Sequence, residues 1–372
     1  MRRALMLISC IGTAHAGSWN VTGEAGTEYD DNVQRVETGP GLDTTPVEAG
    51  VLRFGARVDH KSKPLGGNLA FDLSDLTRLV ANQDVSVENV TTLGGNLRWL
   101  HALGDRPAAL GFGLMAIDAL PLTDPVGART FRMLGPDAVL AMRGEEDRTL
   151  TLTLGLRDFR YKPAHDFDWW GPVANARLEL VLWQPPAKTK SLELVGTLGF
   201  EQRTFYTGVA LANACPPESA PNPNCIAATD FERRDRYQRV GVELTWVGHQ
   251  LAALGYQFTL IDSNSFGQSL ARHRVTASGT TALPFGIYGT LLAILQIDQY
   301  LDGLLVRRDL QSQEFANVED ENRSSLQLRL ARHISSQWSI EGRAAIWRNL
   351  AGGAMELSYR RELVYIGIVF AR

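Results

Sequence analysis

Residues 149–157 read TLTLTLGLR, and this stretch decides the fold class. Leucine occupies positions 150, 152, 154 and 156, while threonine, glycine and arginine occupy the positions around them. Successive side chains of a β-strand point to opposite faces, so one face of this strand is apolar and the other is polar. A half-buried strand of a soluble β-sandwich and a strand of a membrane barrel both fit this pattern. The rest of the chain has to distinguish them.

The same alternation recurs along the whole chain, whereas apolar stripes with helical spacing are scarce. In VLRFGARVD (51–59), for example, Leu52 and Phe54 alternate with Arg53 and Arg57. Similar segments lie at 92–100, 176–184, 191–203, 237–246 and 325–332. Short turns alternate with longer polar connections, among them 30–46, 207–234 and 301–322. Short turns on one side and long loops on the other are typical of an up-and-down outer-membrane barrel.

We therefore predict an all-β fold, an up-and-down antiparallel transmembrane β-barrel of about sixteen strands, with fourteen to eighteen possible. An even number places both termini on the periplasmic side. The strand predicted over 131–143 contains Pro136, which cannot donate a hydrogen bond to a neighbouring strand. Aromatic residues near the predicted strand ends fit the two interfacial girdles of such barrels. These are Trp99, Trp169, Trp170, Trp183, Trp246, Trp338 and Tyr365.

The N-terminal segment MRRALMLISCIGTAHA predicts a secretory signal peptide over residues 1–16. It has a basic start, an apolar stretch and a small-x-small site at Ala14-His15-Ala16. The remainder, 17–372, is predicted to be a single barrel domain. No later stretch approaches the ~18 apolar residues of a membrane helix. We predict a location in the outer membrane of a Gram-negative bacterium, with outer-membrane lipid as its surroundings.

The segment that follows the signal peptide contains two cysteines, Cys215 and Cys225, within ACPPESAPNPNC. An exported chain meets an oxidising compartment, so a disulfide between them is expected. Two free thiols in a loop are the alternative. A metal site is not predicted there, because no histidine or further cysteine lies nearby.

No catalytic motif is present: GxSxG, HExxH and a Walker loop are all absent. The acidic stretches at 30–31 and 318–322 could bind a divalent cation, but ordinary solvated loops explain them better. We therefore predict neither an enzyme nor a cofactor or metal, and the net charge of −4 gives no indication of nucleic-acid binding.

The polar face of the predicted strands carries many arginines. We predict that the following residues line the lumen: Arg53, Arg57, Arg98, Arg157, Arg177, Glu179, Arg203, Arg239, Glu243, Arg272, Arg274, Arg329 and Arg343. Arginine makes multidentate contacts with carboxylate, phosphate and sulfate, so such a lumen favours anions. Alternatively, arginine and glutamate on neighbouring strands pair and brace the wall. Both roles can hold together.

Two segments resemble known outer-membrane barrels. The end of the chain, ELVYIGIVFAR (362–372), resembles the closing strand that the barrel assembly machinery reads, although Ala371 and Arg372 follow the usual terminal aromatic residue. TEYDDNV (27–33) resembles the opening strand of several families, including the barrel domains of exopolysaccharide exporters. That resemblance implies polymer export, with a separate periplasmic protein delivering the polymer.

Two functions follow as predictions. The first is a channel that passes anionic solutes or exports an anionic polysaccharide. The second is a non-conducting structural or adhesion barrel whose surface loops bind a partner.

Overall fold

The computed structural model describes residues 17–38, 45–104, 107–123, 129–144, 148–187, 189–212, 226–301, 323–349, 351–352 and 358–372. The predicted signal peptide, the cysteines Cys215 and Cys225, and the acidic stretch 318–322 lie outside these ranges. No helix within the described ranges is long and apolar enough to cross a bilayer.

Sixteen long strands form the fold. They are β1 (Ser18–Asp30), β2 (Ala49–Ser62), β3 (Gly67–Val80), β4 (Val90–Ala102), β5 (Ala108–Pro121), β6 (Phe131–Arg143), β7 (Thr149–Tyr161), β8 (Trp169–Trp183), β9 (Ser191–Ala212), β10 (Ile226–Val247), β11 (Leu251–Ser263), β12 (Leu270–Leu283), β13 (Ile287–Tyr300), β14 (Ser324–His333), β15 (Trp338–Arg348) and β17 (Arg360–Ala371). A two-residue strand, β16 (Ala351–Gly352), pairs with the end of β13. Short 3-10 turns occupy Pro64–Gly66, Gln83–Glu88, His165–Phe167 and Pro284–Gly286.

Each long strand pairs antiparallel with its neighbours in sequence, and β1 pairs with β17 to close the barrel. Closure leaves the sheet without a first or last strand, as the membrane requires of β-structure that spans it. The strand of Phe131–Arg143 is present despite Pro136; its pairing with β7 skips Gly135 and Pro136 and continues in the same register. The predicted fold class and strand number are confirmed.

The turns at one end of the barrel are short, and the connections at the other end are mostly longer. We refer to these as the periplasmic and extracellular ends; β1 begins and β17 ends at the periplasmic one. The expected loop 207–234 is wrong in extent, because β9 and β10 continue to Ala212 and from Ile226. The outward side chains of this tall hairpin, such as Arg234 and Arg236, are polar, so the leucine alternation that identifies the other strands is lost here.

An apolar belt covers the outside of the barrel. In TLTLTLGLR, Leu154 and Leu156 are exposed, with 64% of Leu154 accessible. Val364, Ile366 and Ile368 of β17 are exposed in the same way. Monomeric soluble proteins rarely expose contiguous apolar surface on this scale. The leucines therefore contact lipid, and the chain is a transmembrane β-barrel.

A substitution on this belt measures that contact. Leu154 lies in the middle of β7, so Leu154→Arg is expected to destabilise the barrel by about 2–4 kcal/mol, the cost of arginine near the bilayer midplane. Urea unfolding in lipid vesicles measures the change, and Leu154→Phe, which stays apolar, is the matched control. A soluble protein would absorb an exposed leucine-to-arginine change within about 0.5 kcal/mol. A result that small would contradict the lipid contact.

The outward aromatic residues fit the predicted girdle at the periplasmic end. Trp183, Trp246 and Trp338 are exposed there, and the rings of Trp183 and Trp246 stack with their centroids 5.8 Å apart. Trp169 and Tyr365 are exceptions to the prediction. Both side chains are buried and point into the barrel, because each occupies the inward phase of its strand.

Buried apolar side chains line the inner wall near the extracellular end. The largest cluster contains Val90, Ala119, Phe131, Met133, Phe159, Tyr161, Trp169 and Phe205 from β4 to β9. Smaller clusters lie on β2 and β3, on β10 to β12, and on β15. At the extracellular end, inward apolar side chains of the strands therefore pack against one another and against the connections. Polar side chains line the wall closer to the periplasmic end.

Candidate functional site: the barrel lumen

The thirteen residues predicted to line the lumen share the strand phase opposite the exposed apolar side chains; that they line a pore stays a prediction. In β2, for example, buried Arg53 alternates with exposed Leu52 and Phe54. Arg53 lies opposite Arg78 of β3, and Arg329 lies opposite Arg343 of β15. Four of them, Arg53, Arg57, Arg329 and Arg343, line one cavity of 830 Å³ bounded by β1 to β5 and β13 to β17.

Most of these arginines pair with carboxylates. The largest group, which we call the β1 ion network, consists of Glu24, Glu28, Asp30, Arg53, Arg78, Arg329, Glu341, Arg343 and Arg361. Glu24 of β1 accepts from Arg53 Nε at 2.7 Å and from Arg343 Nη2 at 2.7 Å. Arg343 and Arg329 both donate to Glu341. Positive and negative side chains thus alternate around the wall, from Arg329 on β14 through Glu341 and Arg343 on β15 to the acids of β1, and on to Arg53 and Arg78 on β2 and β3.

The deepest part of the β1 ion network surrounds Asp30. Arg361 donates to both carboxylate oxygens of Asp30, with Nε–Oδ1 at 3.0 Å and Nη2–Oδ2 at 2.7 Å. Arg78 donates to Asp30 at 3.0 Å and to Glu28 at 2.7 Å. The guanidinium of Arg361 also stacks 4.7 Å from the ring of Trp347. Asp30 is completely buried, so the two arginines neutralise a charge that water does not reach.

A second ion cluster joins β9 and β10. Glu201 accepts from Arg203 Nε at 2.7 Å and from Arg239 Nη2 at 2.9 Å. The guanidinium of Arg203 lies 4.5 Å from the ring of Trp169 and 4.1 Å from that of Tyr237. These stacked, buried groups stiffen the wall and leave little of Arg203 available to a solute.

The other predicted residues lie in smaller pairs. Arg272 forks onto Asp298 at 2.9 and 3.0 Å, and Arg157 lies 3.7 Å from Asp137. Arg57 pairs with Asp59, Arg177 pairs with Glu179, Glu243 accepts from Thr245, and Arg274 also interacts with its surroundings. The alternative that arginines brace the wall therefore describes much of the lumen.

A subset of the lumen arginines stays accessible. The side chains of Arg57, Arg177 and Arg329 are 55%, 51% and 54% exposed despite their carboxylate partners. Arg98 of β4 is exposed and makes no ion pair or hydrogen bond with any residue that the structure describes. These four lie nearer the periplasmic than the extracellular ends of their strands. Among the predicted lumen arginines, these four are the exposed ones.

Sequence reasoning missed several members of the β1 ion network, namely Glu24, Glu28, Asp30, Arg78 and Arg361. The outward residues between the acids of β1, such as Ala25 and Thr27, are small and give only a weak alternation. Arg78 is flanked in LTRLV by apolar residues on both faces. The available signal was the carboxylate at every second or fourth position of GEAGTEYD, which matches one face of a strand.

Polar contacts fasten three extracellular connections together above the lumen. Arg129 donates to Glu88 at 2.6 Å and to the carbonyl of Gln34 at 2.6 Å. Asn89 donates to Thr123, which donates to the carbonyl of Ser86. The connections β1–β2, β3–β4 and β5–β6 are thereby joined at the extracellular mouth.

No group of three or more histidine, cysteine, aspartate or glutamate side chains suited to a metal ion occurs in the described ranges. The acid at position 30, considered above as a cation ligand, instead binds Arg361 and Arg78.

No protein-family model matches the sequence, and no curated protein matches it. The fold is similar to that of solved outer-membrane proteins at 10% sequence identity. OccAB1 of Acinetobacter baumannii gives a TM-score of 0.46, covering 95% of this chain and 96% of that one. OprB of Pseudomonas putida gives 0.45, with 96% and 94% covered, and OpdQ of Pseudomonas aeruginosa gives 0.41, with 95% and 98% covered. A likeness at this level concerns the fold alone.

The chain is an outer-membrane β-barrel. Its closed, even-stranded antiparallel wall and its apolar belt are the features of that class, and the predicted location is the one they require.

Proposed function

We propose that the barrel is a channel with a preference for small anionic solutes. The observation that carries this proposal is the set of accessible lumen arginines, with Arg98 unpaired among the described residues. Guanidinium groups that face water inside a low-dielectric wall attract anions and repel cations. The buried ion pairs around Asp30 and Glu201 stabilise the barrel wall, while the accessible arginines determine which ions the channel prefers.

A more specific version of this proposal is that the channel exports an anionic polysaccharide. The same accessible arginines would contact the polymer, and a periplasmic protein would deliver it. The absence of enzymatic activity stays a prediction.

A second candidate, a non-conducting barrel that binds a partner through its loops, is favoured by a different observation. Apolar side chains such as Phe131 and Phe205 are buried inside the extracellular end, and Arg129 fastens three connections above them. A mouth held shut in this way would leave the lumen without a path for ions.

Conductance in planar bilayers tests the channel directly. The purified barrel is expected to conduct with anion preference, and Arg98→Ala and Arg177→Ala are expected to lower that preference. Arg53→Ala removes an equal charge but leaves Glu24 with Arg343 alone, so its larger effect is expected on stability rather than on selectivity. A barrel that is folded by its heat-modifiable gel migration yet silent in the bilayer would overturn the channel and favour the second candidate.

A further inference from the structure

The tall β9–β10 hairpin carries a cleft on its outer wall, away from the lumen. This outer-wall cleft is formed by Trp170 of β8 and by residues of β9 and β10 at a break in their register, and its volume is 420 Å³. The lining includes Thr204, Tyr206, Gly208, Thr229, Asp230 and Glu232. Gly208 allows the two strands to approach closely, because a Cβ there would lie 1.8 Å from the carbonyl oxygen of Thr229.

Two exposed aromatic side chains stand in the outer-wall cleft. Tyr206 is 59% exposed and Trp170 is 47% exposed. Arg160 fixes the tyrosine ring, since its guanidinium stacks 4.7 Å above the ring and donates to the hydroxyl at 3.1 Å. Aromatic faces bordered by carboxylates such as Glu232 offer stacking surfaces and hydroxyl acceptors, the combination that binds a sugar ring.

The position of the cleft relative to the apolar belt indicates which part of the membrane the cleft contacts. Down the outer face of β10, Glu232 and Arg234 are followed by Arg236 and Gln238, and the apolar belt begins at Val240. The register puts Trp170 and Arg234 level with each other across Thr204 of β9. The cleft therefore stands above the belt on the extracellular side, beside the headgroups of the outer leaflet.

Arg236 is the cation at the boundary between the belt and the cleft. It is exposed and forms no hydrogen bond or ion pair with any described residue, although Asp262 is its cross-strand neighbour on β11. Arg234, one pleat higher, is held by Glu232 at 2.7 Å. An accessible guanidinium directly above lipid is placed to bind a phosphate, through two parallel hydrogen bonds.

We propose that the outer wall of β8 to β10 binds the phosphorylated saccharide headgroup of an outer-leaflet glycolipid. Arg236 holds the phosphate at the top of the belt, and Tyr206 and Trp170 stack against the sugars in the outer-wall cleft. The acyl chains continue downward along Val240 and the apolar belt. This site is independent of the lumen and of the proposed channel function.

Titration of the detergent-purified full-length barrel with lipopolysaccharide tests the site by calorimetry. Three comparison ligands are the same lipopolysaccharide after phosphatase treatment, its lipid-free core phosphosaccharide, and phosphatidylglycerol. Lipopolysaccharide is expected to bind about tenfold more tightly than its dephosphorylated form, the scale of one charge-assisted contact. Arg236→Gln is expected to abolish that difference, whereas Tyr206→Ala is expected to weaken both forms alike.

The matched control is Arg332→Gln, which removes an exposed arginine from the outer face at the periplasmic end. It should leave affinity unchanged; an effect equal to that of Arg236→Gln would show nonspecific charge attraction and overturn the site. Equal affinity for phosphatidylglycerol would exclude saccharide recognition. Equal affinity for the lipid-free phosphosaccharide would assign the cleft to a soluble glycan and overturn the lipid assignment.

Discussion

Asp30→Ala is expected to cost the barrel about 3–5 kcal/mol of unfolding free energy, the usual penalty for leaving buried charges without their partner. Asp30 is completely buried and accepts hydrogen bonds from Arg361 and Arg78. Without the carboxylate, the buried guanidinium groups of Arg361 and Arg78 lose the acceptor that they share, and Arg78 keeps Glu28. The loss is measurable as a lower urea midpoint and a lower temperature at which the heat-modifiable band disappears.

Asp59→Ala is the matched control for this prediction. It also removes an aspartate that pairs with an inward arginine, but the side chain of that partner, Arg57, is more than half exposed. Exposed pairs contribute about 0–1 kcal/mol, so the control should unfold near the wild-type midpoint. Equal stability of the two variants would mean that water reaches Asp30, contrary to its burial.

The alternation of apolar and polar residues predicts the strands because a bilayer requires an apolar side chain at every second position of a spanning strand. Every second residue of a spanning strand contacts hydrocarbon, so Leu154, Ile366 and their equivalents stand out in the sequence. The prediction weakens where lipid ends. The upper part of β10, with Glu232 and Arg234 facing outward above the belt, lacks the alternation, and its sequence predicts a loop.

The inward phase of each strand is also predictable, but the partner of each arginine is not. Arg343 and its acceptor Glu24 are 319 residues apart in sequence, and only closure of β17 onto β1 brings their strands together. A shift of register by two residues would exchange every such pair without changing a single face. Which arginines are neutralised, and which remain accessible like Arg98, therefore depends on the closed barrel.

The difference between neutralised and accessible arginines leads to the second large expected effect, a change in ion selectivity. The double variant Arg98→Glu/Arg177→Glu is expected to convert the channel from anion preference to cation preference. Two accessible positive charges become negative within one lumen. Arg98 has no carboxylate partner among the described residues, and the side chain of Glu179, the partner of Arg177, is itself half-exposed. A change of about tenfold in the permeability ratio corresponds to roughly 1.4 kcal/mol, a modest demand on two charge reversals inside the lumen. Reversal potentials across a salt gradient measure it.

Arg332→Glu supplies the matched control for this effect, because it reverses an arginine of β14 that faces outward at the periplasmic end. The control should keep the wild-type preference if selectivity arises inside the lumen rather than from net charge. Salt gives an independent check, since screening lengths fall from about 10 Å at 0.1 M to about 3 Å at 1 M. The difference between the double variant and the wild type should therefore shrink as salt rises. An equal shift in the control, or a difference that persists undiminished at 1 M salt, would remove the accessible arginines as the cause of selectivity.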